Sequence, residues 1–152
     1  MAGLSDSDLI KLYSGRILAL AADIPHLGRL DNPDGTASRR SPLCGSTVTA
    51  DLSVTDGRIT RFAQDVKACA LGQASAAVLG SVVVGLTEDD LDRAHRALVA
   101  MLTDRGPPPP APFQDYDVLI PARDYKNRHA SILLALEAAR EAMADARRKA
   151  AG

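Results

Sequence analysis

The chain has 152 residues, which is long enough to bury the core of one domain without disulfide bonds. Hydrophobic residues make up 46% and charged residues 24%, so disorder over the whole length is excluded. The formal net charge is −1, and the only aromatic residues are three Tyr and two Phe. Without a basic excess or a base-stacking surface, nucleic acid is not an expected partner.

The cysteine content and the N-terminus indicate the compartment. Two cysteines, Cys44 and Cys69, are too few for a disulfide-framed secreted domain. Acidic residues stand where a signal peptide would carry basic ones, so we expect a cytoplasmic protein. The uncharged stretch 68–86 has the length of a membrane span, but its Gly, Ser and Gln residues favour a buried helix and no membrane association.

The N-terminal region is predicted to form one helix followed by a loop. Ser5 and Asp8 resemble a capping box, and apolar residues recur at helical spacing over residues 5–22. Pro25 ends this pattern. Residues 23–42 are rich in Gly, Pro, Asn and Asp, which predicts a loop.

A small antiparallel sheet is predicted next. Residues 36–41 can form a short edge strand, and apolar and polar residues alternate over residues 47–54, as in a half-buried strand. Asp56-Gly57 is a strong hairpin signal because both residues tolerate positive φ. The return strand is predicted over residues 58–67, with a bulge where the alternation is imperfect.

Helices are predicted for most of the remaining chain. The uncharged stretch should be helical over residues 70–84, and Thr87 with Asp90 should cap the following helix. A Pro-rich segment, residues 105–115, reads as an exposed polyproline-like connector. The last helix should start near residues 129–131.

The order of elements predicts a single α+β domain over residues 1–152, with a three-stranded antiparallel sheet packed against several helices. His95 falls on the apolar side of its helix and is predicted to lie at the edge of the core. The predicted core residues are Leu52, Val54, Phe62, Val78, Leu79, Val82, Leu98, Ile132 and Leu136.

Few residues are candidates for chemistry. Each cysteine alone is more often an inert buried side chain, and no CxxC or HxxxH pattern accompanies either. However, Cys44 stands on a tight turn before a strand, and Cys69 opens a helix, whose positive end favours a thiolate. His129 opens another helix. Three ligands at the ends of three elements could converge on one metal ion.

Three segments carry a family resemblance. They are Pro42-Leu43-Cys44-Gly45 before a strand, Cys69 with Ala74-Ser75 on a helix, and Arg128-His129-Ala130-Ser131-Ile132-Leu133 at the start of the last helix. In this order they resemble the cysteine motifs and the His-Cys-Ser-Ile-Leu motif of the U-type iron–sulfur cluster assembly scaffolds, the family of the Isc-type and Suf-type scaffolds and the NifU N-terminal domain. The resemblance covers residues 9–143.

The resemblance implies a scaffold that holds a transient 2Fe–2S cluster, or a zinc or iron ion, through Cys44, Cys69 and His129. Two positions depart from the family. Ser46 replaces the aspartate of the first motif and is a weak candidate ligand, and Ala130 replaces the third cysteine. The loss of a carboxylate and a thiolate is predicted to lower the affinity of the site for metal.

The resemblance also implies partners, namely a cysteine desulfurase and cluster-accepting proteins. A fourth ligand could come from outside the chain or from a second protomer, so a homodimer stays open. No acid–base pair is recognisable, so we do not expect an enzyme. Two alternatives remain at this point: a degenerate paralogue that acts as a protein-interaction module, and a small zinc-binding domain.

Overall fold

In the part of the chain that the structure describes, three antiparallel strands and four α-helices form the fold. The computed structural model describes residues 13–42 and 45–152. The sheet has the order β1-β2-β3, which confirms the predicted α+β class. The elements are α1 (Gly15–Ala22), β1 (Gly35–Arg40), β2 (Thr47–Thr55), β3 (Arg58–Lys67), α2 (Ala70–Val82), α3 (Glu88–Thr103), two 3₁₀ helices (Gln114–Asp124 and Lys126–Arg128) and α4 (His129–Ala151).

The β2–β3 hairpin forms as its turn sequence predicts. Asp56 and Gly57 adopt φ values of +54° and +77°, the left-handed conformation that a two-residue hairpin turn requires. The register shifts by one residue between Ser53 and Val54, so the predicted bulge is confirmed.

One face of the sheet packs against α4. The side chains of Val48, Ala50 and Leu52 point to this face and are buried. At Gly35 the strand and the helix touch through their backbones, because a Cβ there would lie 2.7 Å from the amide nitrogen of Ala146. Only a residue without a side chain allows β1 to approach α4 this closely.

The other face of the sheet carries a buried carboxylate. Asp51 is fully buried and accepts hydrogen bonds from Arg29 Nε at 2.6 Å, Thr36 Oγ1 at 2.6 Å and the Leu30 amide at 3.1 Å. Burial alone would raise the pKa of Asp51, but the hydrogen bonds from Arg29, Thr36 and Leu30 outweigh it and lower the pKa below its ordinary value. The carboxylate thereby ties the loop before β1 to the sheet.

Parts of the outer edge of β3 are covered by other segments. The backbone of Gln64 exchanges two hydrogen bonds with residues 26–28, at 2.8 and 2.9 Å. The backbone of Ile59 exchanges two more with residues 85–86, at 2.9 and 2.7 Å. The loop before β1 and the loop before α3 are therefore both hydrogen-bonded to β3.

The outer edge of β1 is covered at one point by a side chain of α4. The amide of Thr36 donates to Asp145 Oδ2 at 3.0 Å, and Lys149 Nζ lies 2.8 Å from the same oxygen. The hydrogen bonds from Lys149 and from the Thr36 backbone lower the pKa of Asp145.

The first predicted helix is not continuous in the described part of the chain. Ser14 has extended dihedral angles and its Oγ accepts the amide of Ile17 at 3.3 Å, so a helix begins at Gly15. The predicted capping box and the rest of residues 5–12 lie outside the described residues.

The Pro-rich connector was only partly predicted. The structure is irregular up to Phe113, and then the 3₁₀ helix Gln114–Asp124 buries Tyr116 and Leu119 in the core. Most of residues 105–115 are exposed, as expected of a connector, but Pro109 and Phe113 are buried. Apolar side chains that follow the prolines hold this segment against the helices.

Most of the predicted core is confirmed. Seven of the nine predicted residues are buried, and Val54 and Val82 are partly buried. α2 is buried on nearly every side, as expected for the uncharged stretch. Within residues 13–42 and 45–152, no helix has the length and apolar character that crossing a membrane requires.

Replacing Gly35 with alanine should separate β1 from α4. We expect Gly35→Ala to lower the free energy of unfolding by at least about 2 kcal/mol, because its Cβ would overlap the backbone of α4. Gly15→Ala is the control, since nothing lies within 4 Å of its added Cβ and alanine favours a helix. Urea denaturation of both variants tests this, and equal stability would contradict the backbone contact.

The buried carboxylate should make stability depend on pH. Because its pKa is lowered in the folded state, the stabilisation by Asp51 is present above the unfolded-state pKa of about 3.9 and is lost as pH falls through the folded-state pKa. Asp51→Asn should therefore cost about 2–3 kcal/mol at neutral pH, with the difference shrinking in acid. Asp56→Asn, in an exposed turn that suits asparagine, should cost little. A pH-independent cost at position 51 would contradict the role of its charge.

Candidate functional site

Cys69 stands at the N-cap of α2. Its backbone is extended, with φ −68° and ψ 170°, and its carbonyl accepts the Gln73 amide that starts the helical hydrogen bonds. The side chain makes no capping hydrogen bond. The Cys69 thiol is half-buried and forms no disulfide bond. It lies at the N-terminal end of α2, where the helix dipole attracts negative charge.

Ser131 joins Cys69 to Ser46. Its Oγ lies 3.3 Å from Cys69 Sγ and 3.1 Å from Ser46 Oγ. Both serines are buried, with 1% of Ser131 and 5% of Ser46 exposed. The turn before β2, the start of α2 and the start of α4 therefore meet at one place.

The two helix ends meet closely because α2 carries small residues there. A Cβ at Gly72 would lie 2.9 Å from Ser131 Oγ and 3.1 Å from the Ser131 carbonyl oxygen. One turn later, Ser75 Oγ donates to the Ile132 carbonyl at 2.5 Å. Glycine removes the steric barrier and serine adds a polar contact, so Cys69 is held beside the first turn of α4.

His129 is the first residue of α4, as predicted. Its Nε2 lies 3.2 Å from the Ala122 carbonyl oxygen and 3.0 Å from that of Arg123. Two carbonyl acceptors require a proton on Nε2, which leaves Nδ1 as the ring atom that can bind a metal ion. Histidines that ligate metals commonly donate their other N–H to a carbonyl in this way.

Backbone hydrogen bonds join Ser41 to Gly45 and Ser46, the described residues on either side of positions 43 and 44. The Ser41 amide donates to the Ser46 carbonyl at 2.8 Å, and the Gly45 amide donates to the Ser41 carbonyl at 2.9 Å. Gly45 has φ +72°, which glycine adopts without strain. Cys44 lies outside the described residues, so its thiol has no stated position, but Gly45 and Ser46 follow it directly in the chain.

The predicted ligand set remains a prediction. Within the part of the chain that the structure describes, no group of three or more His, Cys, Asp and Glu side chains is arranged to hold a metal ion. Cys69 and His129 both stand at helix ends, and Ser46 reaches Cys69 through Ser131. A complete set of three nitrogen and sulfur ligands requires Cys44.

The other two histidines have different surroundings. His95 Nε2 lies 3.1 Å from Glu137 Oε2 and the His95 side chain is 17% exposed, which agrees with its predicted place at the edge of the core. His26 packs edge-on against Phe62, with ring centroids 6.2 Å apart.

Sequence reasoning overlooked Ser131 and the carbonyls that orient His129. Ser131 appeared only as part of a motif, and its hydrogen bonds depend on the crossing of α2 and α4. The carbonyls belong to the 3₁₀ helix Gln114–Asp124, which the prolines before it obscured. The sequence offered one signal for the link through Ser131: Ser46 and Ser131 each lie two residues after a predicted ligand.

Comparisons with known proteins give a match among solved structures. No protein-family model matches the chain, and no curated protein matches it. The crystal structure of the N-terminal part of a nitrogen-fixing NifU-like protein from Brucella abortus is 44% identical, with a TM-score of 0.90, and the match covers 93% of this chain and 99% of that one.

More distant structures share the fold. A hypothetical protein is 19% identical with a TM-score of 0.79, covering 90% of this chain and 99% of that one. A putative iron–sulfur cluster assembly scaffold protein for the SUF system from Fervidobacterium islandicum is 18% identical with a TM-score of 0.74, covering 88% and 98%.

The hydrogen bonds of Ser131 should stabilise the junction of the three elements. We expect Ser131→Ala to lower the free energy of unfolding by about 1–2 kcal/mol, because a buried hydroxyl and its two partners lose their contacts. Ser81→Ala is the matched control, since the exposed Ser81 hydroxyl bonds only to a carbonyl of its own helix. Thermal or urea unfolding of both variants provides the comparison, and equal stability would exclude a structural role for Ser131.

Proposed function

This chain belongs to the family of NifU-like N-terminal domains, as the sequence resemblance predicted, and on that basis we propose that it is an iron–sulfur cluster assembly scaffold or carrier. Its cargo would be a labile 2Fe–2S cluster or a zinc or iron ion. The proposed ligands are Cys44, Cys69 and His129, with Ser46 as a weak fourth. The role is binding and transfer in the cytoplasm, without catalysis.

One observation carries the proposal. Ser131 Oγ touches both Cys69 Sγ and Ser46 Oγ, at 3.3 and 3.1 Å. Ser46 follows Cys44 by two residues, so the same contact supports a Cys44 thiol close to Cys69. Thiolate–metal bonds of about 2.3 Å require such proximity.

The residues at this place suit a weakly held cargo. Thiolates are the preferred ligands of iron–sulfur clusters and zinc, and Nδ1 of His129 adds a borderline ligand. Ser46 supplies a neutral hydroxyl where a carboxylate would add charge, and Ala130 has no donor atom. A three-ligand site with few negative charges leaves a position open for a partner, a second protomer or water.

The proposed partners are those that the resemblance to the scaffold family implies. A cluster contains sulfide that the site does not itself generate, so a sulfur donor is required. The proposed donor is a cysteine desulfurase, whose persulfide sulfur becomes sulfide only when a separate reductant supplies two electrons. A cluster-accepting protein must then compete for the open coordination position. Ala130 favours a second candidate, a degenerate module that binds such partners without holding a metal.

Metal binding by variants of the site tests the proposal. We expect the protein, purified without oxygen, to bind zinc in a competitive titration and to take up a cluster with visible absorption on reconstitution. Cys69→Ser should abolish both, because the site loses a thiolate. His95→Ala serves as a control outside the proposed site and should leave both unchanged, since its ring contacts Glu137.

A gain-of-ligand variant completes this experiment. Ser46→Asp with Ala130→Cys adds a carboxylate and a thiolate, so zinc affinity and cluster yield should rise together. Cys69→Ser in that background should remove both gains. If neither the wild type nor the double variant binds metal, the metal-site proposal is wrong and the interaction module is the better assignment.

A further inference from the structure

Two serine hydroxyls are linked to the Cys69 thiol. Ser131 Oγ lies 3.3 Å from Cys69 Sγ and 3.1 Å from Ser46 Oγ, so it connects the thiol to the second hydroxyl. Only 1% of Ser131 and 5% of Ser46 is exposed, so bulk water hardly competes for these contacts. We call the hydroxyls of Ser131 and Ser46 the serine pair.

Metal binding at Cys69 would fix the direction of both hydrogen bonds. A cysteine that ligates a metal ion or a cluster is a thiolate, which has lost its proton and only accepts. Ser131 must then donate its single hydroxyl proton to Cys69 Sγ. Because that proton is used, the contact between the two serines is a hydrogen bond only if Ser46 donates to Ser131. In the metal-free thiol, either atom of each contact can donate.

Ser46 suits this direction because it is a neutral hydroxyl with a proton to give. An ionised carboxylate at the same position would only accept. It would compete with Cys69 for the proton of Ser131. A serine at position 46 leaves that proton available to the thiolate.

The crossing of α2 and α4 holds Ser131 beside Cys69. An added Cβ at Gly72 would lie 2.9 Å from Ser131 Oγ, so the absence of a side chain there leaves room for the hydroxyl. Ser75, one turn further along α2, donates to the carbonyl of Ile132, the residue after Ser131. These contacts keep the hydroxyl within hydrogen-bonding distance of the thiol.

We propose that Ser131 is a positioning residue that donates a hydrogen bond to the metal-bound Cys69 thiolate, and that Ser46 orients Ser131 by donating to it in turn. The inference rests on the proposed function, because it requires a metal ion or cluster at Cys69. A hydrogen bond to a charged acceptor is strong and withdraws electron density from the sulfur. A sulfur with less electron density binds metal less tightly, which suits a cargo that must be released.

Cobalt binding to variants of Ser131 tests this role. Co²⁺ is the probe because its bonds to thiolates give a charge-transfer absorption whose energy depends on the sulfur lone pairs. A hydrogen bond lowers the energy of these lone pairs, so its loss moves the absorption to longer wavelength. We expect this shift in full-length Ser131→Ala at saturating Co²⁺. Ser81→Ala is the control and should absorb like the wild type, since the exposed Ser81 hydroxyl bonds to its own helix.

Variants of Ser46 separate an effect through Ser131 from direct ligation. Ser46→Ala should give a smaller shift in the same direction, because Ser131 keeps its proton but loses the hydroxyl that orients and polarises it. In the Ser131→Ala background, Ser46→Ala should add no further shift. Ser46→Thr keeps the hydroxyl and should absorb like the wild type. A purely structural role of either serine would lower stability without moving the absorption.

The outcomes distinguish this inference from the proposed function. If Co²⁺ binds but its absorption is unmoved in Ser131→Ala, the donated hydrogen bond is wrong while metal binding stands. A shift in Ser46→Ala that persists in the Ser131→Ala background would mean that Ser46 acts on the metal directly, which overturns its role through Ser131. If the wild type binds no Co²⁺, zinc or cluster, the proposed function fails, and this inference fails with it because no thiolate ligand exists.

Discussion

The backbone contacts of α4 set the arrangement of the whole molecule. Gly35 lets β1 lie directly against this helix, and Gly72 lets the start of α2 lie against its first turn. Interiors are close-packed, so a methyl group at Gly35 must displace the backbone of α4, and one at Gly72 must displace the side chains of Ala68 and Ser131. The junction of Cys69, Ser131 and Ser46 is therefore a product of the same tight packing that closes the core.

Short turn and capping motifs predicted the elements whose ends are fixed by residues adjacent in sequence. Asp56-Gly57 forms its hairpin turn, and Thr87 with Asp90 forms a capping box with both hydrogen bonds present. Elements that depend on distant contacts were missed. The 3₁₀ helix Gln114–Asp124 exists because Tyr116 and Leu119 find space in the core, which no spacing rule reveals. Sequence reasoning also overlooked the helix start at Ser14, because the apolar pattern continued through it.

The sequence predicted which elements carry the candidate ligands, while the convergence of Cys44, Cys69 and His129 stays a prediction. Cys69 and His129 open the helices that the sequence assigned to them. The tautomer of His129 depends on carbonyls from an unpredicted segment, and the link through Ser131 depends on a helix crossing. The buried Asp51 was not anticipated either, because an acidic residue in an alternating strand normally faces water. Its burial requires the hydrogen bond from Arg29. Arg29 lies in a loop, where no regular spacing of apolar residues predicts its position.

The covering of the sheet edges affects how readily the protein aggregates in a crowded cell. A sheet of three strands has two edge strands, and exposed edge amides can template the addition of another chain and start aggregation. Here residues 26–28 and 85–86 occupy parts of the β3 edge, and a carboxylate of α4 occupies the Thr36 amide on β1. Accidental strand addition is thereby discouraged at these points. The proposed partners would therefore have to bind elsewhere than at these covered stretches of strand.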